Sequence, residues 1–81
     1  MTTVYLTFRS PRKAERERFP DVNLVAVDPE TAHLVGRIDK SDHAYFTFVP
    51  FDAAEPFGWW RRQWHCFRSI EQRVAEQRAS R

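Results

Sequence analysis

Four side chains of this sequence are of the types that bind transition metals or attack as nucleophiles: His33, His43, His65 and Cys66. His65 and Cys66 are neighbours, so on a helix their side chains would diverge by about 100° and could not act as a dyad. The sequence has no Cys-x-x-Cys or His-x-x-x-His spacing and no Gly-x-Ser-x-Gly motif. We therefore expect no metal site, no cofactor and no catalytic residues. We interpret Cys66 as an apolar side chain or as a contact in a homodimer.

Carboxylates flank two polar turns, with Asp28 and Glu30 at the first and Asp39 and Asp42 at the second. Acid–base catalysis needs a pocket that separates the pKa values of two such groups. Carboxylates in tight turns are usually solvated and serve to form the turn. We expect that role here. As a group these four residues predict an acidic rim that engages arginine or lysine side chains of a partner.

The segment from Trp59 to Arg68 contains four large aromatic rings and three arginines in ten residues. Tryptophan and arginine are the residue types that most often dominate binding interfaces. We expect Trp59 at the rim of the fold. Together with Arg73, the three arginines predict a basic helix flank that meets an acidic protein surface or phosphates. The residues of this flank are Arg61, Arg62, Arg68 and Arg73.

Alternating apolar residues and turn signals predict the elements that position these side chains. A first strand covers residues 4–8, and Ser10 is expected to cap a short basic helix or loop over residues 12–19. Strands over 22–27, 33–38 and 44–49 form an antiparallel meander, with a helix over 29–35 as the alternative for its middle. Pro50 ends the last strand. A long amphipathic helix covers residues 58–78.

These elements predict an α+β fold with a four-stranded, mainly antiparallel sheet and the long C-terminal helix on one face. The first strand lies at an edge or beside the fourth. The predicted core is Leu6, Phe8, Leu24, Leu34, Ile38, Phe46, Phe48, Trp60, Trp64 and Phe67. The other face would present Tyr5, Thr7, Val25, Val27, Val35, Tyr45 and Val49. That face is too apolar for free solvent, so we expect it to meet a second subunit or another protein, unless the basic segment or a terminus covers it or a strand is misphased.

Length and charge narrow the class of protein. The 81 residues predict a single domain, 1–81, and the net charge of +2 conceals segregation. Residues 19–57 carry two basic and seven acidic side chains, whereas residues 1–18 and 58–81 are basic. A uniformly basic nucleic-acid-binding protein would lack the acidic middle. The N-terminus has no signal-peptide pattern, no membrane span is predicted, and one cysteine makes no internal disulfide, so we expect a cytoplasmic protein.

In size, meander, terminal helix and segregated charge the chain resembles the small anti-CRISPR proteins of phages and other mobile elements. The resemblance is one of type and carries no motif, so no functional residue is transferred. It implies an inhibitor that binds a CRISPR effector subunit in the host cytoplasm and blocks target DNA or nuclease recruitment. Our first hypothesis is therefore a non-catalytic, protein-binding inhibitor. The alternative is a small basic DNA- or RNA-binding protein that uses Arg12, Lys13, Arg16 and Arg18 with the helix arginines.

Overall fold

Five strands and two helices follow one another along the chain in a computed structural model, which describes residues 4–41, 45–53 and 55–79. The elements are β1 Thr7–Arg9, α1 Lys13–Arg18, β2 Val22–Val27, β3 Leu34–Lys40, β4 Phe46–Pro50, β5 Phe57–Trp60 and α2 Gln63–Ala79. The α+β class, the antiparallel sheet and the C-terminal helix are confirmed. The sheet has five strands where the sequence predicted four.

The sheet is a continuous antiparallel meander in the order β1-β2-β3-β4-β5. The predicted three-stranded meander is confirmed, and β2 has the predicted bounds. β1 lies at an edge beside β2, so its placement beside the fourth strand is wrong. The alternative helix over 29–35 is also wrong. Asp28 accepts a hydrogen bond from the Glu30 backbone at 2.9 Å and closes a turn there instead.

The segment Phe57–Trp60 is an edge strand, although the sequence predicted that the long helix begins at residue 58. Gly58 has φ +63°, a left-handed conformation that interrupts a helix and that glycine adopts without strain. Trp59 and Trp60 then pair with Thr47 and Phe46 of β4, so their rings point to opposite faces of the sheet. The helix α2 begins only at Gln63.

The core lies between α2 and one face of the sheet, which we call the first face. Ile70 and Cys66 of α2 are fully buried there with Ala26, Ile38 and Phe48 of the strands. The other predicted core residues that pack against this cluster are Leu6, Phe8, Leu24, Phe46, Trp60 and Phe67. The ring of Phe8 stacks on that of Phe67, with centroids 3.9 Å apart.

A β-bulge explains why Leu34 is not in this core. Ala26 pairs with Gly36, but the next pair is Val27 with Leu34, so Val35 is an extra residue in β3. The bulge reverses the alternation of side chains, which turns Leu34 to the second face and packs Val35 against the core. Leu34 is 38% exposed, and its predicted core position is wrong.

The second face of the sheet is partly covered by α1 and the residue that follows it. Val25 and Val49 are buried there, and the Arg37 guanidinium lies 3.9 Å from the centroid of the Phe19 ring. The alternative, in which the basic segment folds over this face, therefore holds for part of it, while Leu34 and Phe51 beside α1 remain exposed. Without α1, the apolar side chains of the second face would form one contiguous patch in contact with water.

The residue that precedes α1 and the residue that ends β4 each differ from the sequence prediction. The first residue before α1 is Arg12, whose backbone N–H donates to the Glu15 carboxylate at 2.8 Å, so the prediction of Ser10 as the cap is wrong. Pro50 belongs to β4 and pairs with Gly36 of β3, beyond the stretch of β4 that pairs with β5. Proline has no N–H to donate, but because Pro50 does not pair with β5, no hydrogen bond between β4 and β5 is lost.

Neither described helix could span a membrane.

Candidate partner-binding surface

Two of the three tryptophans project into solvent where β5 leads into α2. Trp59 is 73% exposed and Trp64 is 51% exposed. The prediction that Trp59 lies at the rim is confirmed, whereas the prediction that Trp64 is a core residue is wrong. Trp64 is the second residue of α2 and lies on the side of the helix turned away from the sheet, while Cys66, two residues later, is buried.

The exposed Trp59 ring packs against Tyr45, which precedes β4, and Tyr45 in turn contacts Arg61 in the bend after β5. Trp59 meets Tyr45 edge to face, with centroids 5.9 Å apart and ring planes at 89°. This is a favourable aromatic geometry. Arg61 donates to the Tyr45 hydroxyl at 3.1 Å, and its guanidinium lies 5.4 Å from the centroid of the same ring. Tyr45, Trp59 and Arg61 thus form a small exposed platform with both an aromatic and a cationic part.

Arg62 and Trp64 follow Arg61 along the chain, in the bend and in the first turn of α2. The Trp64 ring packs against His65 with centroids 3.9 Å apart, and Arg62 is exposed. No carboxylate of the described residues lies within ion-pair distance of Arg61 or Arg62. Trp64 lies on the outer side of the helix that covers the first face, whereas Trp59 points to the second face, so the two rings do not share a surface. We define the tryptophan–arginine surface as Tyr45, Trp59, Arg61 and Arg62. The sequence did not predict Tyr45 as part of it.

The four arginines of the predicted basic flank do not lie on one helix face, so that prediction is wrong. Arg61 and Arg62 are in the bend before α2. Arg68 is exposed on the helix, and Arg73 lies five residues later, which places it about 140° around the axis. The Arg73 guanidinium sits 4.1 Å from the centroid of the Phe57 ring. It therefore packs against β5 and is not a freely extended cation.

The predicted acidic rim is also divided. Asp28 accepts from the Glu30 backbone and pairs with Arg78 at the end of α2, and these contacts lower the pKa of Asp28. Glu30 is exposed in the same turn. Asp39 lies near the opposite end of β3, within the strand, where it pairs with Arg37 at 3.1 Å. Two of the four carboxylates are thus held by arginines of the chain itself.

Two predicted positions remain, Asp42 and Cys66. Asp42 lies outside the described residues. Cys66 has no exposed surface, and burial raises the pKa of its thiol to about 12. The interpretation of Cys66 as an apolar side chain is confirmed, and its interpretation as an accessible dimer contact is wrong. Within residues 4–41, 45–53 and 55–79, no group of three or more His, Cys, Asp and Glu residues could hold a metal ion.

Comparison with known proteins returns no match: no protein-family model, no curated protein and no solved structure is significantly similar to this chain.

Proposed function

We propose that this chain is a non-catalytic binding module that inhibits a nucleic-acid-handling complex of the host, in the manner of an anti-CRISPR protein. The observation that carries the proposal is the Trp59 ring, which is 73% exposed yet held by Tyr45 and flanked by Arg61. A large exposed ring that already packs against a neighbour loses less side-chain entropy on binding than a ring without such a contact.

The size of the Trp59 ring sets the energy available to such an interface. Burying an aromatic side chain removes about 150–250 Å² from water. At about 25 cal/mol per Å² this is about 4–6 kcal/mol as an upper bound for full burial. Because part of the ring already contacts Tyr45, and because association has its own costs, we expect a net contribution of about 2 kcal/mol, the magnitude of an interface hot spot.

The charge of the tryptophan–arginine surface favours one mode of inhibition over another. Arg61 and Arg62 lack carboxylate partners among the described residues, so their best complement is an acidic protein surface. A channel that binds DNA is itself cationic and would repel them. We therefore propose that the module occupies an acidic docking surface for a recruited subunit, such as a nuclease, and leaves the DNA channel open.

Affinity capture tests this proposal. The tagged wild-type chain and the double variant Arg61→Glu/Arg62→Glu are used as baits in lysate from cells with an active CRISPR system, and bound proteins are identified by mass spectrometry. We expect the wild type to retain a subunit of a nucleic-acid-handling complex and the charge-reversed bait to lose it. Retention of the same subunit by both baits, or of no such subunit by the wild type, would contradict the proposal.

A second candidate function, binding of single-stranded nucleic acid, is favoured by the same platform. Exposed rings beside arginines can stack on bases in any sequence. Under this hypothesis Trp59 fluorescence is quenched by oligothymidylate, and the affinity falls steeply between low and physiological salt. Absence of quenching at low salt would remove this candidate and leave the protein-binding proposal.

A further inference from the structure

A groove of about 560 Å³ lies between α1 and the second face of the sheet. Val25 and Val49 form its deepest part and are only 4% and 5% exposed. Leu34 and Phe51 also line it, and they are 38% and 71% exposed. The groove thus combines a buried apolar floor with large apolar side chains that still contact water. Its volume lies within the usual range of ligand sites, about 300–1,000 Å³.

Among the described residues, the acidic side chain that lines this groove, Glu15, already has partners within the chain. Glu15 receives two hydrogen bonds from Arg9, at 2.8 and 3.1 Å, and a third from the Arg12 backbone at 2.8 Å. The Arg9 pair and the Arg12 N–H lower the pKa of Glu15 to about 2, so Glu15 remains ionised and fully engaged. It is not available to neutralise another cation at the groove.

The two arginines that line the groove, Arg18 and Arg37, differ in whether a carboxylate of the chain pairs with them. Arg37 is paired with Asp39 at 3.1 Å. Arg18 makes no ion pair with any described carboxylate, and its guanidinium lies 5.2 Å from the centroid of the Phe19 ring. The lining therefore carries one guanidinium that has no anion, beside an apolar floor. The chemistry complementary to it is an apolar group adjacent to a carboxylate.

The exposure of the lining decides how large the occupant is. A pocket for a small molecule covers about 70–90% of the surface of its ligand. Phe51 lines one side of the groove and is 71% exposed, so a small ligand bound against Val25 and Val49 would leave much of the Phe51 ring in water. A polypeptide can fill the floor with one side chain and cover the wall with its neighbours. We propose that the groove binds a segment of a partner protein, which inserts an apolar side chain between α1 and the sheet and pairs a flanking carboxylate with Arg18. This inference does not depend on the tryptophan–arginine surface.

Titration with defined peptides, followed by NMR of the methyl groups of Val25, Leu34 and Val49, tests the inference. The probe is the acetylated, amidated peptide Glu-Leu-Phe-Glu. Its controls are Lys-Leu-Phe-Lys, Glu-Ser-Ser-Glu and octanoate. Arg18→Glu removes the cation, and Arg16→Glu is its matched control, because Arg16 is exposed on the same helix but does not line the groove. Ala14→Trp and Ala53→Trp fill the groove from two sides, so the test survives if one of them disturbs α1.

We expect the acidic peptide to shift these methyl resonances and to bind about tenfold more weakly to Arg18→Glu, with less than about threefold change for Arg16→Glu. At least one folded groove-filling variant should abolish the shifts. Trp59→Ala should leave them unchanged. The inference is overturned if the acidic peptide causes no shifts at millimolar concentration, if the lysine or serine peptide binds equally well, if both charge variants weaken binding equally, or if octanoate binds more tightly than the peptide.

Discussion

Replacing Gly36 by alanine tests how the sheet packs at its centre. Gly36 is buried in β3, and a Cβ at this position would lie 2.5 Å from the Val49 carbonyl oxygen and 2.6 Å from two atoms of the Phe48 ring. Phe48 is 1% exposed and packs against Ile38 and Cys66 in the core cluster. Neither the backbone oxygen nor the enclosed ring has free space to move into, so the substitution must displace packed atoms.

The expected cost follows from two opposing effects. Overpacking a well-filled core costs about 1–3 kcal/mol. Replacing glycine by alanine also lowers the entropy of the unfolded chain, which stabilises the fold by about 0.4–1 kcal/mol. Because one of the clashes is with backbone, we place the packing cost at the upper end of its range. Gly36→Ala should therefore destabilise the protein by about 2 kcal/mol, which for a domain of this size lowers Tm by about 10 °C.

Urea unfolding followed by tryptophan fluorescence measures this loss, and a second substitution separates its causes. Phe48→Leu shortens the side chain over Gly36 and should itself cost about 1–1.5 kcal/mol. In the double variant the clash with the ring is relieved while the clash with the Val49 oxygen remains. The double variant should therefore be more stable than additivity predicts by about 1 kcal/mol. A loss below about 0.5 kcal/mol for Gly36→Ala, or strict additivity, would refute this packing of Phe48 over Gly36.

Three further predictions concern the thiol, one ion pair and the end of the long helix. Cys66 is buried and its pKa is raised to about 12, so iodoacetamide should modify it at least about 1,000-fold more slowly in the folded chain than in concentrated urea, and comparable rates would contradict its burial. The lowered pKa of Glu15 means that its ion pair with Arg9 stabilises the fold above about pH 4.5 and is lost as the pH falls toward 2. We expect the wild type to be at most about 1 kcal/mol more stable than Glu15→Gln, because the pair lies at the surface. This difference in unfolding free energy should disappear as the pH falls through that window, and a constant difference would argue against the pairing. Arg78→Ala removes the partner of Asp28 and should speed hydrogen exchange over residues 75–79 without changing it near Ile70, whereas unchanged exchange at the helix end would show that this pair does not hold it.

The strands with strong local signals are the part of the fold that the sequence predicts well. In β2 and β4, apolar and β-branched residues run between turn-forming residues, so both the existence of the strands and their antiparallel pairing follow from local chemistry. The long helix is also predicted, because Phe67, Ile70 and Val74 recur at helical spacing.

The errors occur where pairing across the sheet outweighs local preference. Trp59 and Trp60 fit a helical stripe, but pairing with β4 makes them a strand, and Gly58 supplies the left-handed residue that separates this strand from helix. Leu34 fits the inward alternation of β3 until the bulge at Val35 reverses it. No pattern within one segment encodes a bulge that depends on the partner strand.

The candidate surface was predicted only in part, for the same reason. Exposed Trp59 beside Arg61 and Arg62 follows from their types and spacing. The contacts of Tyr45 with Trp59 and Arg61 join residues 14 and 16 positions apart and need the β4–β5 pairing, which the sequence did not predict. The groove under α1 brings together four separate stretches of chain, and nothing in any one of them marks it.

The affinity of Trp59→Ala for the partner retained in the capture experiment shows whether the tryptophan–arginine surface is the binding site. Isothermal titration of wild type, Trp59→Ala and Tyr5→Ala compares two exposed aromatic residues, at 73% and 75%, of which only the first belongs to the tryptophan–arginine surface. A loss of about 2 kcal/mol of binding free energy makes the Kd of Trp59→Ala about 30-fold higher than that of the wild type. The Kd of Tyr5→Ala should rise less than about threefold. Equal affinities for Trp59→Ala and wild type would contradict the claim that this surface is the binding site.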